Sequence, residues 1–324
     1  MMKKNTNHIS GVGDYMKMRN FLIVMLFFPL LMSADYSSYA ADAADAVRFV
    51  DIDSSSLELL SMQEMRFCYI SFVRVDGKKL LVKQKKPLHK LLGVVRDAVT
   101  AHIIAENFDI AHKVDIIPAD QKFPGKWRTD WPATIHTIAP GKTIKGQSSK
   151  YDKMNIKQAD TGFRRDMIQW MVKHPTLVKV VALDTFLCNH DRHRGNLFYN
   201  QKTDSFCAID MDSAFKYNLC ALACKNFIKM MDKDLFPLKR DELRVLIEYR
   251  NILEMLIRKH HPEETIQIYN YYADKAGFVE GSPLYTKKMY GQLEANRAMI
   301  RQSYEDVKKL VKILNSIIKR VIKT

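Results

Sequence analysis

The sequence predicts an α+β fold in two lobes, a small antiparallel β lobe carrying one helix and a larger helical lobe. Three observations predict it. Asp76-Gly77 separates two runs rich in apolar and β-branched residues, a strong two-residue hairpin signal. From about residue 160 onward, segment after segment carries apolar residues at spacings of three and four, the period of helices packed on a core. Between them, Leu197-Phe198-Tyr199 and Phe206-Cys207-Ala208-Ile209 flank a polar turn at 200–204, which reads as strand, turn, strand.

Taken in order, Lys3, Lys4, Lys17 and Arg19 precede an apolar run over 21–32 and then small residues ending near Ala41. That order is the pattern of a secretory signal peptide. The apolar run is short for a bilayer span. Residues 1–40 are therefore read as a Sec-type signal, with an uncleaved membrane anchor as the alternative. Residues 41–66 read as a leader with a short helix over 56–65. The β lobe is assigned to 67–141, with strands at 67–75 and 78–85 joined by Asp76-Gly77. A helix over 88–108 follows, with Leu91, Leu92, Val95, Val99, Ile103 and Ile104 at helical spacing. Further extended segments are expected at 114–118 and 132–139, separated by a polar loop and closed by Pro140-Gly141. The helical lobe is assigned to 142–324, with helices over 166–173, 175–188, 219–232, 239–259, 262–276 and 283–323. Pro175, Pro262 and Pro283 stand where a first-turn proline is tolerated. The last helix is basic. Its stripe of Val307, Leu310, Val311, Leu314, Ile317, Ile318 and Val321 is most simply a core contact, and a basic amphipathic helix can also lie on an anionic membrane.

With 324 residues and 47% apolar content, the chain can bury a sizeable core. Its formal charge of +15 favours acidic partners such as ATP, phosphoinositide headgroups or an anionic membrane. Nucleic acid has the same charge, but no motif points to it and it is not an expected partner. Five cysteines do not make a disulfide framework. Cys188 and Cys207 lie in apolar surroundings, whereas Cys220 and Cys224 share a helical face and could pair.

The chemistry is concentrated in Asn189-His190-Asp191-Arg192-His193-Arg194-Gly195-Asn196 and, after the hairpin, Ile209-Asp210-Met211-Asp212. Phosphoryl transfer from ATP needs a carboxylate to orient the attacking hydroxyl, and an Asn with a further carboxylate to hold the ion that bridges the phosphates. Asp191 is the candidate for the first role, and Asn196 and Asp210 are the candidates for Mg²⁺ or Mn²⁺. A hairpin brings its two ends together, so Asn196 and Asp210 can meet despite their separation. His193 can stabilise transferring charge or orient Asp191, or serve as a structural hydrogen-bond partner. Arg192 reads as a structural ion pair. Asp212 reads as a cap for a following helix, with a second metal contact as the alternative.

A phosphate-binding lysine is expected on the second strand. Lys83 is the candidate, and Lys85 has the same strand parity. Asp97, fourteen residues on in the following helix, is its expected partner, with Glu106 as the fallback. Residues 41–76 contain no glycine, which excludes an ordinary Gly-rich phosphate loop and leaves that task to a segment such as 61–66. A histidine/aspartate metal phosphohydrolase built from His190, Asp191, His174, His193 and Asp210 is a competing reading. It places the His-Asp pair on a helix, whereas Gly195 and a strand follow here within a few residues.

The run Asn189-x-Asp191-Arg192-His193-x-x-Asn196 with Ile209-Asp210 resembles the catalytic core of the phosphatidylinositol 3- and 4-kinase superfamily, and Asp184 and Phe215 fit the same local pattern. Bacterial persistence-toxin kinases and several secreted bacterial effector kinases share the Asp-x-His-x-x-Asn variant. The resemblance spans about 180–216, and more weakly 67–141, where Val82-Lys83 falls at the lysine strand and Pro132-Ala133-Thr134-Ile135-His136 at the interlobe hinge. It implies a two-lobed protein kinase-like fold and an ATP- and Mg²⁺-dependent kinase using Asp191, Asn196 and Asp210. The acceptor it implies is a hydroxyl on a protein or a phosphoinositide. A catalytically inactive kinase-like module that binds nucleotide or a partner is the alternative. With the export signal, the sequence reads as a secreted bacterial effector delivered into a host cell.

Overall fold

The computed structural model describes residues 57–86, 90–108, 114–119, 128–144, 165–189, 191–210, 212, 224–225, 228 and 238–323. The export segment, His190, Cys220 and most of the helix expected at 219–232 lie outside them. No helix among the described residues is long and apolar enough to cross a membrane.

The first lobe is a five-stranded antiparallel sheet in the order β1-β2-β3-β5-β4. Its strands are β1 (Glu58–Glu64), β2 (Cys68–Val75), β3 (Lys78–Lys85), β4 (Val114–Ile117) and β5 (Ala133–Thr137). One helix, α1 (Leu92–Phe108), runs between β3 and β4. The expected turn is present: Asp76 and Gly77 both take positive φ, 46° and 74°, the type I′ geometry whose twist matches its strands. Strand alternation then sorts β3. Leu80 and Val82 join Val73, Val75, Ala133 and Ile135 in a small apolar core, so Leu81, Lys83 and Lys85 take the opposite face.

Two expectations are corrected here. The described part of 56–65 forms no helix; Glu58–Glu64 are the edge strand β1, paired with β2 from Glu58↔Arg74 to Glu64↔Tyr69. Leu59 and Met62 remain exposed, so a helix there would have no apolar face to bury, whereas the open edge of β2 satisfies the backbone. The segment 132–136 is no hinge either. As β5 it is hydrogen-bonded between β3 and β4, and the chain leaves the sheet at 138–141. Gly141 makes that crossing at φ 88°, and a Cβ there would stand 2.3 Å from the Tyr199 carbonyl oxygen.

The second lobe starts with β6 (Lys142–Thr143), which pairs with β7 (Leu197–Asn200), itself hairpinned to β8 (Ser205–Ala208). Its helices are α2 (Arg165–Lys173), α3 (Thr176–Phe186), α4 (Arg240–Lys259), α5 (Pro262–Lys275) and α6 (Lys287–Lys323). Alpha3 is buried nearly all round, from Leu177 to Phe186, because α4, α6 and β8 pack about it. Val307, Leu310, Val311, Leu314, Ile317 and Ile318 are all buried, and Val321 packs against the same core. The stripe of the last helix is thus core. Cys188 and Cys207 are buried and form no disulfide.

Candidate active site

The loop that carries the motif is delivered by the end of α3. Cys188 sits in the left-handed region at φ 47°. Asn189 N donates to Asp184 O (2.7 Å) and Cys188 N to Thr185 O (3.0 Å), the paired bonds of a Schellman ending. Asp184, 1% exposed, then holds the loop with its side chain. It accepts from Arg192 Nε at 2.8 Å and Nη2 at 3.1 Å, and from Asn189 Nδ2 at 2.8 Å. Arg192 Nη1 donates to the carbonyls of Asn196 and Ile209. Every nitrogen of this buried guanidinium is used, so Arg192 is structural, as its neighbours in sequence suggested.

That network also fixes the metal candidates. Ile209 N donates to Asn196 O at 3.1 Å, and Leu197 pairs with Ala208, so the hairpin does place Asn196 next to the residue preceding Asp210. Asn196 Nδ2 donates to the Asp191 carbonyl at 3.1 Å, and Asn189 Oδ1 accepts from Asp191 N at 3.3 Å. Asp191 is held through its backbone, and among the described residues nothing donates to its carboxylate, which suits a group meant to meet a hydroxyl. His193 is exposed, and its Nδ1 accepts from Gly195 N at 2.9 Å. With Nδ1 as acceptor, the neutral ring carries its proton on Nε2. Asp210 takes φ 53°, a strained setting for a residue with a side chain and one that recurs at functional sites.

The two lobes meet at Lys83. Its Nζ stands 3.3 Å from Asp97 Oδ2 of α1 and 3.6 Å from Asp212 Oδ2, and contacts Asp210 Oδ1 directly. Lys85 Nζ contacts Asp212 Oδ2. Oxygens of Asp97, Asp210 and Asp212 lie within 4.8 Å of one another. Burial opposes a charge on Lys83, but Asp210 and Asp97 outweigh it and raise its pKa well above the ordinary lysine range. Burial likewise opposes the Asp210 carboxylate, and Lys83 and Lys85 hold its pKa far below the usual carboxylate range. Burial and the Lys83 charge pull Lys85 down to about 7. Asp210 and Asp97 work the other way, and the Lys85 Nζ is set directly against the Asp212 carboxylate.

The structure therefore brings Lys83, Asp97 and Asp210 to one place, and ties Asp191, His193 and Asn196 into the loop stitched beside Asp210. Glu106 is not needed as the partner of Lys83. Two site residues were underread. Asp212 is a buried member of the cluster with Lys85 as its partner, while most of the helix it was expected to cap lies outside the described residues; shared strand parity with Lys83 and the Asp-x-Asp spacing were the available signals. His136, also buried, bonds Thr134 Oγ1 through Nε2 at 2.7 Å and adds to the positive field at Asp210. The phosphohydrolase arrangement is not formed among the described residues. His174 instead packs on Trp170, Tyr199 and Phe206, away from the one carboxylate cluster found.

No protein-family model matches the sequence, and no curated protein does. Among solved structures, the chain is similar to the Helicobacter pylori proinflammatory kinase CtkA at 12% identity and TM-score 0.48, over 80% of this chain and 96% of that one. It is also similar to the aminoglycoside phosphotransferase APH(4)-Ia at 12% identity and TM-score 0.31, over 84% and 99% of the two chains. Similarities of this degree carry no weight for the site, whose reading rests on its own geometry.

Proposed function

We propose that the protein is an ATP-dependent phosphotransferase that moves the γ-phosphate to a hydroxyl of a protein or phosphoinositide. The observation that carries this reading is the position of Lys83: an ammonium from the sheet, gripped by Asp97 of the lobe's only described helix, set against Asp210 at the end of the β7–β8 hairpin. Such a lysine is placed to bind phosphate oxygens once they enter. The donor set suits Mg²⁺ or Mn²⁺, hard ions that take oxygen ligands. Asp210 and Asn196 would hold the ion, with Asp97 and Asp212 in reach, and the ion would neutralise phosphate charge. Asp191 would accept the hydroxyl proton. The Nε2–H of His193 would donate to a transferring phosphate oxygen.

A specific observation favours a second reading, a kinase-like binding module without transfer. The β1–β2 connection is Met65-Arg66-Phe67, and without glycine it cannot lay bare backbone N–H groups over phosphates as a Gly-rich loop does. Export through the segment at 1–40 would make the protein a secreted effector acting in a host cell. Contact with an anionic membrane would fall to the basic face of α6, where Lys312, Lys319 and Arg320 are exposed, since its apolar face is buried.

Incubation of the full chain with γ-labelled ATP, protein and phosphoinositide acceptors, and Mg²⁺ or Mn²⁺ tests the proposal. Asp210→Ala should lose on the order of 10³-fold in transfer, the effect of removing one oriented charge from the transition state. Equal transfer by both proteins, or none by either, would sink it. Nucleotide binding without transfer would leave the binding-module reading standing in its place.

A further inference from the structure

The cluster holds more fixed positive charge than a single phosphate-binding lysine supplies. Lys83 and Lys85 both lie on one face of β3, with side chains 9% and 6% exposed. Burying an ammonium is unfavourable unless it is paired, so a lysine serving solubility would not be kept there. The chain also makes room for Lys85. A Cβ on Gly93 of α1 would stand 3.4 Å from Lys85 Cε and 3.3 Å from Asp212 Cβ. Arg96, one turn along, donates from Nε to the Asp212 carbonyl at 2.7 Å. Asp212 is thereby fixed at its backbone by α1 and at its carboxylate by β3.

The carboxylates are not equivalent. Asp212 Oδ2 receives both ammoniums, Lys85 in contact and Lys83 at 3.6 Å, and its side chain is 11% exposed. Asp210 receives Lys83 alone on Oδ1, and its side chain is 35% exposed. An oxygen already facing two cations is poorly placed to ligate a third. We infer that Lys85 is a positioning residue that acts as an internal cation: it takes up the Asp212 carboxylate, keeps it out of the metal's coordination shell, and so lowers the affinity of the site for a divalent cation. This rests on reading the cluster as the metal site of the proposed reaction. It adds that the site is set for one weakly held ion at Asp210, with Lys85 supplying charge that a second ion would otherwise bring.

Binding of Mn²⁺ to the full chain without nucleotide, followed by the electron paramagnetic resonance of free Mn²⁺, tests this directly. Lys85→Met should tighten Mn²⁺ binding on the order of tenfold or more, because a positive charge a few ångströms away is removed and Asp212 is released. Adding Asp212→Asn should abolish that gain, and Lys85→Arg should keep the wild-type affinity. A merely structural lysine would give the opposite sign, since losing it would loosen the site. If Lys85→Met does not fold, Lys85→Gln leaves an amide to bond Asp212 and should tighten binding in the same direction. Unchanged or weaker binding in the folded neutral variants, with wild-type transfer intact, would overturn this inference alone. No Mn²⁺ binding by any protein, with or without ATP, would overturn both it and the metal-site reading.

Discussion

Two buried ion networks sit side by side at the open end of the β7–β8 hairpin, and they are built differently. In the Arg192–Asp184 network one guanidinium meets one carboxylate in a two-pronged contact, and its remaining nitrogen goes to two carbonyls. It is electrically closed. In the other, two ammoniums face three carboxylates, and Asp210 stays open to solvent. A closed network can only hold a shape. A network with surplus negative charge and one open carboxylate can take up a cation and release a lysine to a ligand.

The same substitution at the two cations should separate these roles most sharply. Lys83→Met should abolish transfer, by about 10³-fold or more, because a phosphate contact in the transition state is lost. It should cost the fold about 1–3 kcal/mol, the larger part from the buried Asp97 it leaves behind, since Lys85 stays in the cluster and Asp210 can rehydrate. Arg192→Met should do the reverse to stability. It takes the guanidinium from Asp184, whose carboxylate is 1% exposed, and should cost about 3–5 kcal/mol, as breaking a buried pair does. Urea denaturation followed by circular dichroism, run beside the transfer assay, measures both. A Lys83→Met protein as unstable as Arg192→Met would mean that both networks are scaffold.

The contrast also explains what could be read from the sequence. Asp184, Asp191, Arg192 and Asn196 lie close together in the chain, and Asp210 is joined to them by a hairpin announced by its turn residues. Lys83 and Asp97 were legible because strand parity and helix spacing each leave few choices. The Lys85–Asp212 pair was not, because nothing local to β3 specifies which residue beyond the hairpin it meets. Residues 56–65 misled for a related reason. The Leu, Met, Gln and Glu residues of 57–65 favour a helix locally, but the open edge of β2, a feature of tertiary structure, makes 58–64 a strand. His193 showed its type and not its bond, since Nδ1 capping Gly195 depends on the ring's orientation.

A third kind of buried polar group extends the comparison. His260, at the α4–α5 junction, is 1% exposed, rests against Phe186, and among the described residues has a partner for neither ring nitrogen. Burial, helped by Lys259 and His261, lowers its pKa from 6.5 to about 3. The fold thus tolerates only the neutral ring, while the unfolded chain takes up a proton as pH falls through 6.5. The stability is present above 6.5 and is lost as pH falls toward 3, by about 2 kcal/mol at pH 5. His260→Phe should remove that component, so the wild-type and variant difference in urea midpoint between pH 7.5 and pH 5 measures it. No change in the difference would mean that a partner reaches the ring in solution.

The smallest expected effect is the most discriminating one for the loop itself, where Arg192 and His193 are neighbours with opposite surroundings. Gly195 has no positive φ that demands glycine, so alanine suits its backbone. A Cβ there would stand 2.8 Å from His193 Cε1 and 3.0 Å from Nδ1, closer than real contacts allow, and the exposed imidazole is the group free to move. Gly195→Ala should therefore swing His193 aside and break its bond to Gly195 N while leaving Arg192 and Asp184 in place. The fold should lose no more than about 1 kcal/mol, the worth of one exposed hydrogen bond. If His193 meets the transferring phosphate, kcat should fall about tenfold with little change in KM for ATP, the signature of a contact made in the transition state. If His193 serves only as a cap, kcat should be unchanged, and the catalytic part of the loop would shrink to Asp191 and Asn196.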